Sequence, residues 1–186
     1  MFLLAGIGNI GKKYDFTRHN IGFLIIDEII SHYDLKKEKD NFDSLIYKGL
    51  IFKKKVLLAK PLTFVNNSGK AISKIVSFYK IPIEKIFIFH DDMDLNISRI
   101  KIKVGGSDAG HNGIKSIDMN IGKNYNRVRV GIGNSKKLLN AKTHVLERFS
   151  KTEYEILKPK ISMLAKNIDV LLSYELDNLL NILANV

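Results

Sequence analysis

The 186-residue chain has no cysteine, which excludes a disulfide framework and any thiolate-held metal centre. It has no apolar run approaching the roughly 18 continuous residues of a membrane-spanning helix. Its start, Met1-Phe2-Leu3-Leu4, enters motif-like sequence without the charged beginning of a secretory signal. No serine sits in a G-x-S-x-G elbow, so an enzyme built on this sequence would use water as its nucleophile. Repeats, low-complexity tracts and interdomain linkers are also lacking. These absences predict a cytoplasmic enzyme or binding module made of one domain, residues 1–186, with a helical C-terminal segment at about 151–186. A chain of this size buries about 70% of the surface its unfolded form exposes.

Charge is plentiful and one-sided. Thirty basic residues against 19 acidic give a formal net charge of +11. That surplus favours a polyanionic partner, and nucleic acid leads membrane because no strongly basic amphipathic helix is present. A lysine-rich surface with no specific ligand is the bland alternative.

Phe2 to Gly6 reads as a buried strand and Ile7 to Thr17 as a polar loop. A first helix runs from about His19 or Asn20 to Ser31, with Ile21, Ile25 and Ile29 at i+4 spacing. Asp34 to Asp43 forms a charged connector, followed by a hairpin-like pair of strands, Ser44–Phe52 and Val56–Lys60, around Lys53-Lys54-Lys55. Ser68 is placed to cap a second helix carrying Ile72, Ile75, Val76 and Tyr79. Ile86 to Phe89 is a buried strand, and Ile100, Ile102 and Val104 alternate with Lys101 and Lys103 on another. A short helix follows through Ile114, Ile117 and Ile121, ending at Gly122, then a strand Arg127-Val128-Arg129-Val130 and a basic loop, Gly131 to Lys142. In the tail, Leu157, Ile161, Leu164, Ile168 and Leu171 share a face, with Pro159 in the first turn or at a kink. This interleaving predicts an α/β fold: a single-domain three-layer α/β/α sandwich with a mixed, mostly parallel central sheet.

Gly6-Ile7-Gly8-Asn9-Ile10-Gly11 matches the dinucleotide G-x-G-x-x-G pattern in letters only. That chemistry needs a helix opening at the glycines and an acid about 20 residues on, at the end of a second strand. Here the helix starts some eight residues late, so no nucleotide cofactor is expected, and the glycines let a loop carrying Asn9 turn tightly.

Chemistry concentrates in His90 to Gly113, HDDMDLNISRIKIKVGGSDAGHNG, where acids, imidazoles and an amide flank a glycine bend. Asn9, His19-Asn20 and Asn66-Asn67-Ser68 also sit at element ends. In an α/β sheet, loops at the carboxyl ends of strands converge on one crevice. A histidine beside a carboxylate there is equipped as a general base, and asparagines supply neutral donors and acceptors.

These blocks resemble the bacterial peptidyl-tRNA hydrolase family. The resemblance rests on Gly6 to Tyr14, Thr17-Arg18-His19-Asn20-Ile21-Gly22-Phe23 and Pro61 to Gly69. It continues in His90 to Leu95, Gly105-Gly106-Ser107 with Gly110 to Gly113, and Arg127 to Gly133, in family order over roughly residues 1 to 150. It implies a monomeric, metal-independent hydrolase of the ester between peptide and tRNA, without cofactor. It also implies His19 as base, Asp91 as its orienting carboxylate, and Asn9 and Asn66 as groups positioning ester and water. Asn112 is implied to meet the peptide or acceptor end, Tyr14 to line the acceptor-end site, and Lys103 and Arg129 to meet tRNA phosphate. By strand alternation Lys101, Lys103, Arg127 and Arg129 form an outward basic stripe, extended by Lys136, Lys137 and Lys142. Asp92 is the substitute if Asp91 is not the acid. Ile10, Val65, Asn96, Ser98 and Ala109 depart from the family's usual residues, the last two from glycines. Two other readings stay open: a metal-dependent phosphoesterase using His19, His90, Asp91, Asp94 and His111, and a non-catalytic RNA-binding module.

Overall fold

In a computed structural model the structure describes residues 1–38, 40–133 and 141–185. Seven strands form one sheet: β1 (Phe2–Gly6), β2 (Lys36–Lys37), β3 (Ser44–Ile51), β4 (Lys54–Pro61), β5 (Ile86–Asp92), β6 (Ile100–Val104) and β7 (Asn126–Gly131). Their spatial order is β2-β3-β4-β1-β5-β7-β6. The central strands β4, β1, β5 and β7 run parallel, and β2, β3 and β6 add antiparallel edges. The predicted mixed sheet with a parallel centre is therefore present. The edge strand β2 lies inside what reads from sequence as a connector, because a two-residue strand carries no periodicity.

Seven helices are described: α1 (Ile21–His32), α2 (Ser68–Tyr79), α3 (Asn112–Ile121), α4 (Ala141–Leu146), α5 (Lys151–Lys166), α6 (Ile168–Leu172) and α7 (Leu176–Ala184). Alternation along the strands feeds two cores. Leu4, Phe87, Phe89, Val128 and Val130 pack with Ile25, Ile29, Leu157, Leu164 and Leu171 on one face. Leu3, Ala5, Ile86 and Ile88 pack with Ile72, Ile75, Ile114 and Ile117 on the other. The result is the expected α/β/α sandwich.

Several local expectations are corrected. Ser68 is the first residue of α2, not its cap; Asn67 precedes it, and the buried Ser68 hydroxyl has no hydrogen-bond partner. Pro159 lies mid-way along α5, not in its first turn; the α5 start is instead fixed by Ser150 and Glu153 in a reciprocal capping box. His90, Asp91 and Asp92 belong to β5 itself, because their parallel ladder with β7 continues to Asp92↔Gly131. Lys136 and Lys137 lie outside the described residues.

The β3–β4 hairpin closes through Phe52 and Lys53, both at positive φ, as a two-residue turn requires. Ser98 (φ 63°) and Ala109 (φ 49°) also occupy left-handed backbone, where a side chain costs about 1 kcal/mol relative to glycine. These are the two positions at which the resemblance implies glycine. Ser98→Gly and Ala109→Gly are each expected to stabilise the protein by about 0.5–1 kcal/mol, measured by urea unfolding. A loss of stability in both would show that the side chains repay the strain.

Candidate active site

Two glycines set the position of the site. A Cβ on Gly6 would stand 2.1 Å from the Gly22 carbonyl oxygen, and one on Gly22 would stand 2.4 Å from the Phe89 carbonyl oxygen. The start of α1 therefore lies directly on the ends of β1 and β5. That contact brings His19, in the turn before α1, against Asp91 of β5.

The His19 Nδ1 is 2.8 Å from Asp91 Oδ1. His111 Nε2 reaches the same oxygen at 2.9 Å, and the two imidazole centroids are 4.8 Å apart. A carboxylate can only accept, so each ring presents N–H to it. For His19 this leaves Nε2 as the basic nitrogen. Both side chains and the acid are largely buried, His19 at 8% and Asp91 at 3% exposure. Burial alone would lower the His19 pKa, but the charge and hydrogen bond of Asp91 outweigh it and raise it above the ordinary value. Burial would raise the Asp91 pKa, yet the adjoining His19 and His111 rings hold it well below the usual carboxylate range.

The acids divide their work by strand alternation. Asp91 shares the β5 face with Phe87 and Phe89 and meets His19; Asp92 projects to the other face and accepts from Arg129 Nε at 2.5 Å. Asp92 also accepts from the Asp94 backbone N–H, ordering the turn after the strand. Asp91, not Asp92, is the acid at His19.

Asn9 is buried and held from three sides. The Asn20 side chain accepts from the Asn9 N–H at 2.8 Å and donates to the Asn9 carbonyl at 2.9 Å. The Asn9 Oδ1 accepts from the Val65 N–H at 2.9 Å, so its amide NH₂ is the group left to meet a ligand. Asn20 had no assigned role from sequence; its signal is Gly8, whose Cβ would stand 2.7 Å from Asn20 Oδ1.

A cleft of about 210 Å³ is lined by His19, Asp91, His111, Asn112, Lys103 and Arg129, among others. Asn9, Tyr14 and Asn66 lie outside that lining. Tyr14 packs edge-on to Phe64, with centroids 6.4 Å apart, and exposed Asn66 follows Val65 in the same turn. The outward basic stripe needs correction. Lys101, Lys103, Arg127 and Arg129 do share a face, but Arg127 is 1% exposed because the glycine bend covers it. It donates to the Ser107 carbonyl and to Asp118 at 2.7 Å. Arg127 is a buried anchor of the bend. Lys103 is held below its ordinary pKa by desolvation and by its neighbours Arg129 and Arg127.

The ligand atoms of His19, Asp91 and His111 lie within 4.8 Å of one another, a spacing that a metal ion would also accept. Their hydrogen bonding opposes that use. His111 Nδ1 already accepts from the Gly113 and Ile114 N–H groups, so the ring's proton resides on the nitrogen facing Asp91.

The model of the family described as peptidyl-tRNA hydrolase matches residues 3–185. The chain belongs to the peptidyl-tRNA hydrolase family. Peptidyl-tRNA hydrolase of Rickettsia canadensis is 42% identical over 182 residues, 97% of this chain and 98% of the relative. That of Ehrlichia ruminantium (strain Welgevonden) is 49% identical over 150 residues, 81% and 78% of the two chains. The crystal structure of peptidyl-tRNA hydrolase from Acinetobacter baumannii superposes with a TM-score of 0.91 at 32% identity, covering 98% of this chain and 94% of that one. As a peptidyl-tRNA hydrolase family member the chain is an enzyme of a bacterial translation-related family. No helix among the described residues is long and apolar enough to cross a membrane.

At the wall of the cleft, buried His90 donates from Nδ1 to the Asp91 carbonyl at 2.7 Å, while its Nε2 has no partner among the described residues. Burial, with His111 nearby, pushes its pKa down to about 3. In the unfolded chain the same ring takes a proton below about pH 6.5. The native state thus binds fewer protons between those values, and stability must fall as pH drops through that window, by at most roughly 1.4 kcal/mol per pH unit. His19, whose folded pKa is raised, acts in the opposite sense, so the test is a comparison. His90→Phe is expected to flatten the acid slope of urea-unfolding free energy between about pH 4 and 6.5 relative to the parent. An unchanged slope would contradict the buried neutral state.

Proposed function

We propose that this chain hydrolyses the ester linking a peptide, or an N-blocked amino acid, to tRNA, with water activated by His19 held by Asp91. The observation that carries the reading is the 2.8 Å His19–Asp91 bond within the cleft, which leaves Nε2 of the raised-pKa ring as the base. Family membership supports the substrate. Water placed between Nε2 and the ester carbonyl loses its proton to the ring as its oxygen bonds to carbon. Asp91 steadies the imidazolium that results. The Asn9 amide NH₂, with Asn66, steadies the developing oxyanion. When the intermediate collapses, the ester C–O bond breaks and the imidazolium returns its proton to the ribose oxygen of the departing tRNA. Free peptide and recyclable tRNA are the products.

The positions beyond the base are assigned in the same way. Asn112 meets the peptide or acceptor end, Tyr14 lines the acceptor-end site, and Lys103 and Arg129 face phosphate. Neutral asparagines match the amide of a blocked substrate, whereas a free α-ammonium would need an acid to offset the loss of its water. The enzyme works as a cytoplasmic monomer over residues 1–186, and needs no metal.

The test is hydrolysis of N-acetyl-aminoacyl-tRNA against free aminoacyl-tRNA, with and without chelator. Release from the blocked substrate should resist chelator and fall by about 10²–10⁴ in His19→Ala. The base must be neutral to act and Asp91 raises its pKa, so activity should fall as pH drops through a value above about 6.5. Asp91→Asn should move that limb to lower pH and reduce kcat. Release abolished by chelator would favour the metal phosphoesterase, and tight tRNA binding without release the RNA-binding module.

A further inference from the structure

The mechanism above uses one of the two imidazoles on Asp91. His111 makes a second, distinct set of bonds. Its Nδ1 accepts from the N–H of Gly113 at 3.1 Å and of Ile114 at 3.3 Å, capping α3. Its Nε2 donates to Asp91 Oδ1 at 2.9 Å, the oxygen that also accepts from His19. Because Nδ1 is occupied as an acceptor, the Nε2–H tautomer is the one the fold selects. Gly113 permits this geometry, since a Cβ there would stand 3.0 Å from the His111 Cε1 and 2.7 Å from Val65 Cγ2. One ring therefore joins the first turn of α3, which begins at Asn112, to the carboxylate of the proposed base.

We propose that His111 is a positioning residue for the hydrolytic reaction: it fixes the Asp91 carboxylate and divides its hydrogen-bonding capacity, restraining the basicity that Asp91 confers on His19. The inference rests on His19 acting as the base. A carboxylate oxygen shared by two donors gives less to either, so removing the His111 donor leaves more of the negative charge to favour His19 in its protonated form. The same loss frees the carboxylate to rotate, and the base is then held less well against water. Other ionisable groups around the pair remain in place in such a variant. They are His90 and Asp92 from β5, Asp94 in the turn after it, Lys103 from β6, Asp108 in the glycine bend, Arg127 and Arg129 from β7, and Lys142 from α4, all lining the cleft, with His144 buried in α4. Only the His111 donor changes.

A cap and a positioning residue are separable by substitution. Asparagine and serine both cap helices well, but neither carries a ring nitrogen to the far side of the cap. In His111→Asn and His111→Ser the thermal midpoint should stay close to that of the parent while kcat falls roughly tenfold, with a smaller change in KM. The acid limb of the kcat profile should move to higher pH by about half a unit to one unit. That is opposite in sign to the shift expected for Asp91→Asn. The same titration is read without turnover from the ¹⁵N shifts of the His19 ring, so it holds even if His19 proves not to be the base. A raised His19 pKa in either folded variant with an acid limb of kcat that stays in place would keep the bonding and sink the base assignment, and an unchanged kcat in both would overturn the positioning role. An unmoved or lowered His19 pKa in both would overturn the proposal and leave His111 a helix cap only.

Discussion

The site depends on the absence of two side chains. Gly6 and Gly22 let the first turn of α1 rest on the backbone of β1 and β5, with no room for even a methyl group between them. Protein cores resist such insertions because close-packed neighbours have nowhere to go. The distance between His19 and Asp91 is thus set by backbone against backbone, not by flexible side chains. A further brace comes from the C-terminal layer. Buried Arg18, beside His19, donates to both oxygens of Glu153 and to the Arg148 carbonyl. Glu153 at the same time closes the α5 capping box. The tail is tied to the residue next to His19.

Once the backbone has brought these groups together, their burial has to be compensated. An isolated carboxylate removed from water would take up a proton to escape the cost. Asp91 avoids this through two ring donors on one oxygen. Asp92 relies on Arg129, and Asp118 on Arg127 and the Tyr125 hydroxyl at 2.7 Å. Removing Arg129 would strand the charge of Asp92, which costs more than the pair itself contributes, whereas Asp91 keeps one ring donor when the other is lost. The polar network is consequently a single fitted unit, and its rigidity is what a general base requires.

Much of this was legible in the chain. Isoleucine spacing located α1 and α3, and the interleaving of strands and helices gave the sandwich. The glycine motif serves close approach to Gly22 and Asn20, a purpose that needs contacts across the fold and that the letters of the motif do not carry. Arg127 was misread because alternation reports which face a residue occupies, and not whether a distant loop later covers that face. Here the bend around Ser107 does so. His111 caps α3 through neighbours in sequence, but its second bond joins residues 20 apart, a distance no local pattern spans. Ser68 suits a cap by residue type, while the preceding turn through Val65–Asn67 delivers Asn67 there instead.

The neighbouring acids of β5 show how one elementary rule produces two electrostatic settings. Side chains alternate across a strand, so Asp91 and Asp92 cannot serve the same partner. Asp91, near the end of the strand, meets His19 from the turn before α1 and His111 from the cap of α3, two imidazoles that can hold or give up a proton. The other reaches the α3 side and finds a guanidinium, which cannot. Arg129 therefore neutralises Asp92 permanently, and its charge does not add to that of Asp91 at the base. Had both acids faced His19 unpaired, their summed field would drive the ring towards a protonated state useless as a base near neutral pH. The +11 surplus of the whole chain works in the opposite direction, lowering the proton affinity of the site while attracting a polyanion. The base we propose would need such a balance on a polyanionic substrate, because each approaching phosphate would raise its pKa in turn. The Arg129–Asp92 pair and the Asp91 oxygen shared by two rings are the local features that, on that proposal, would limit the rise.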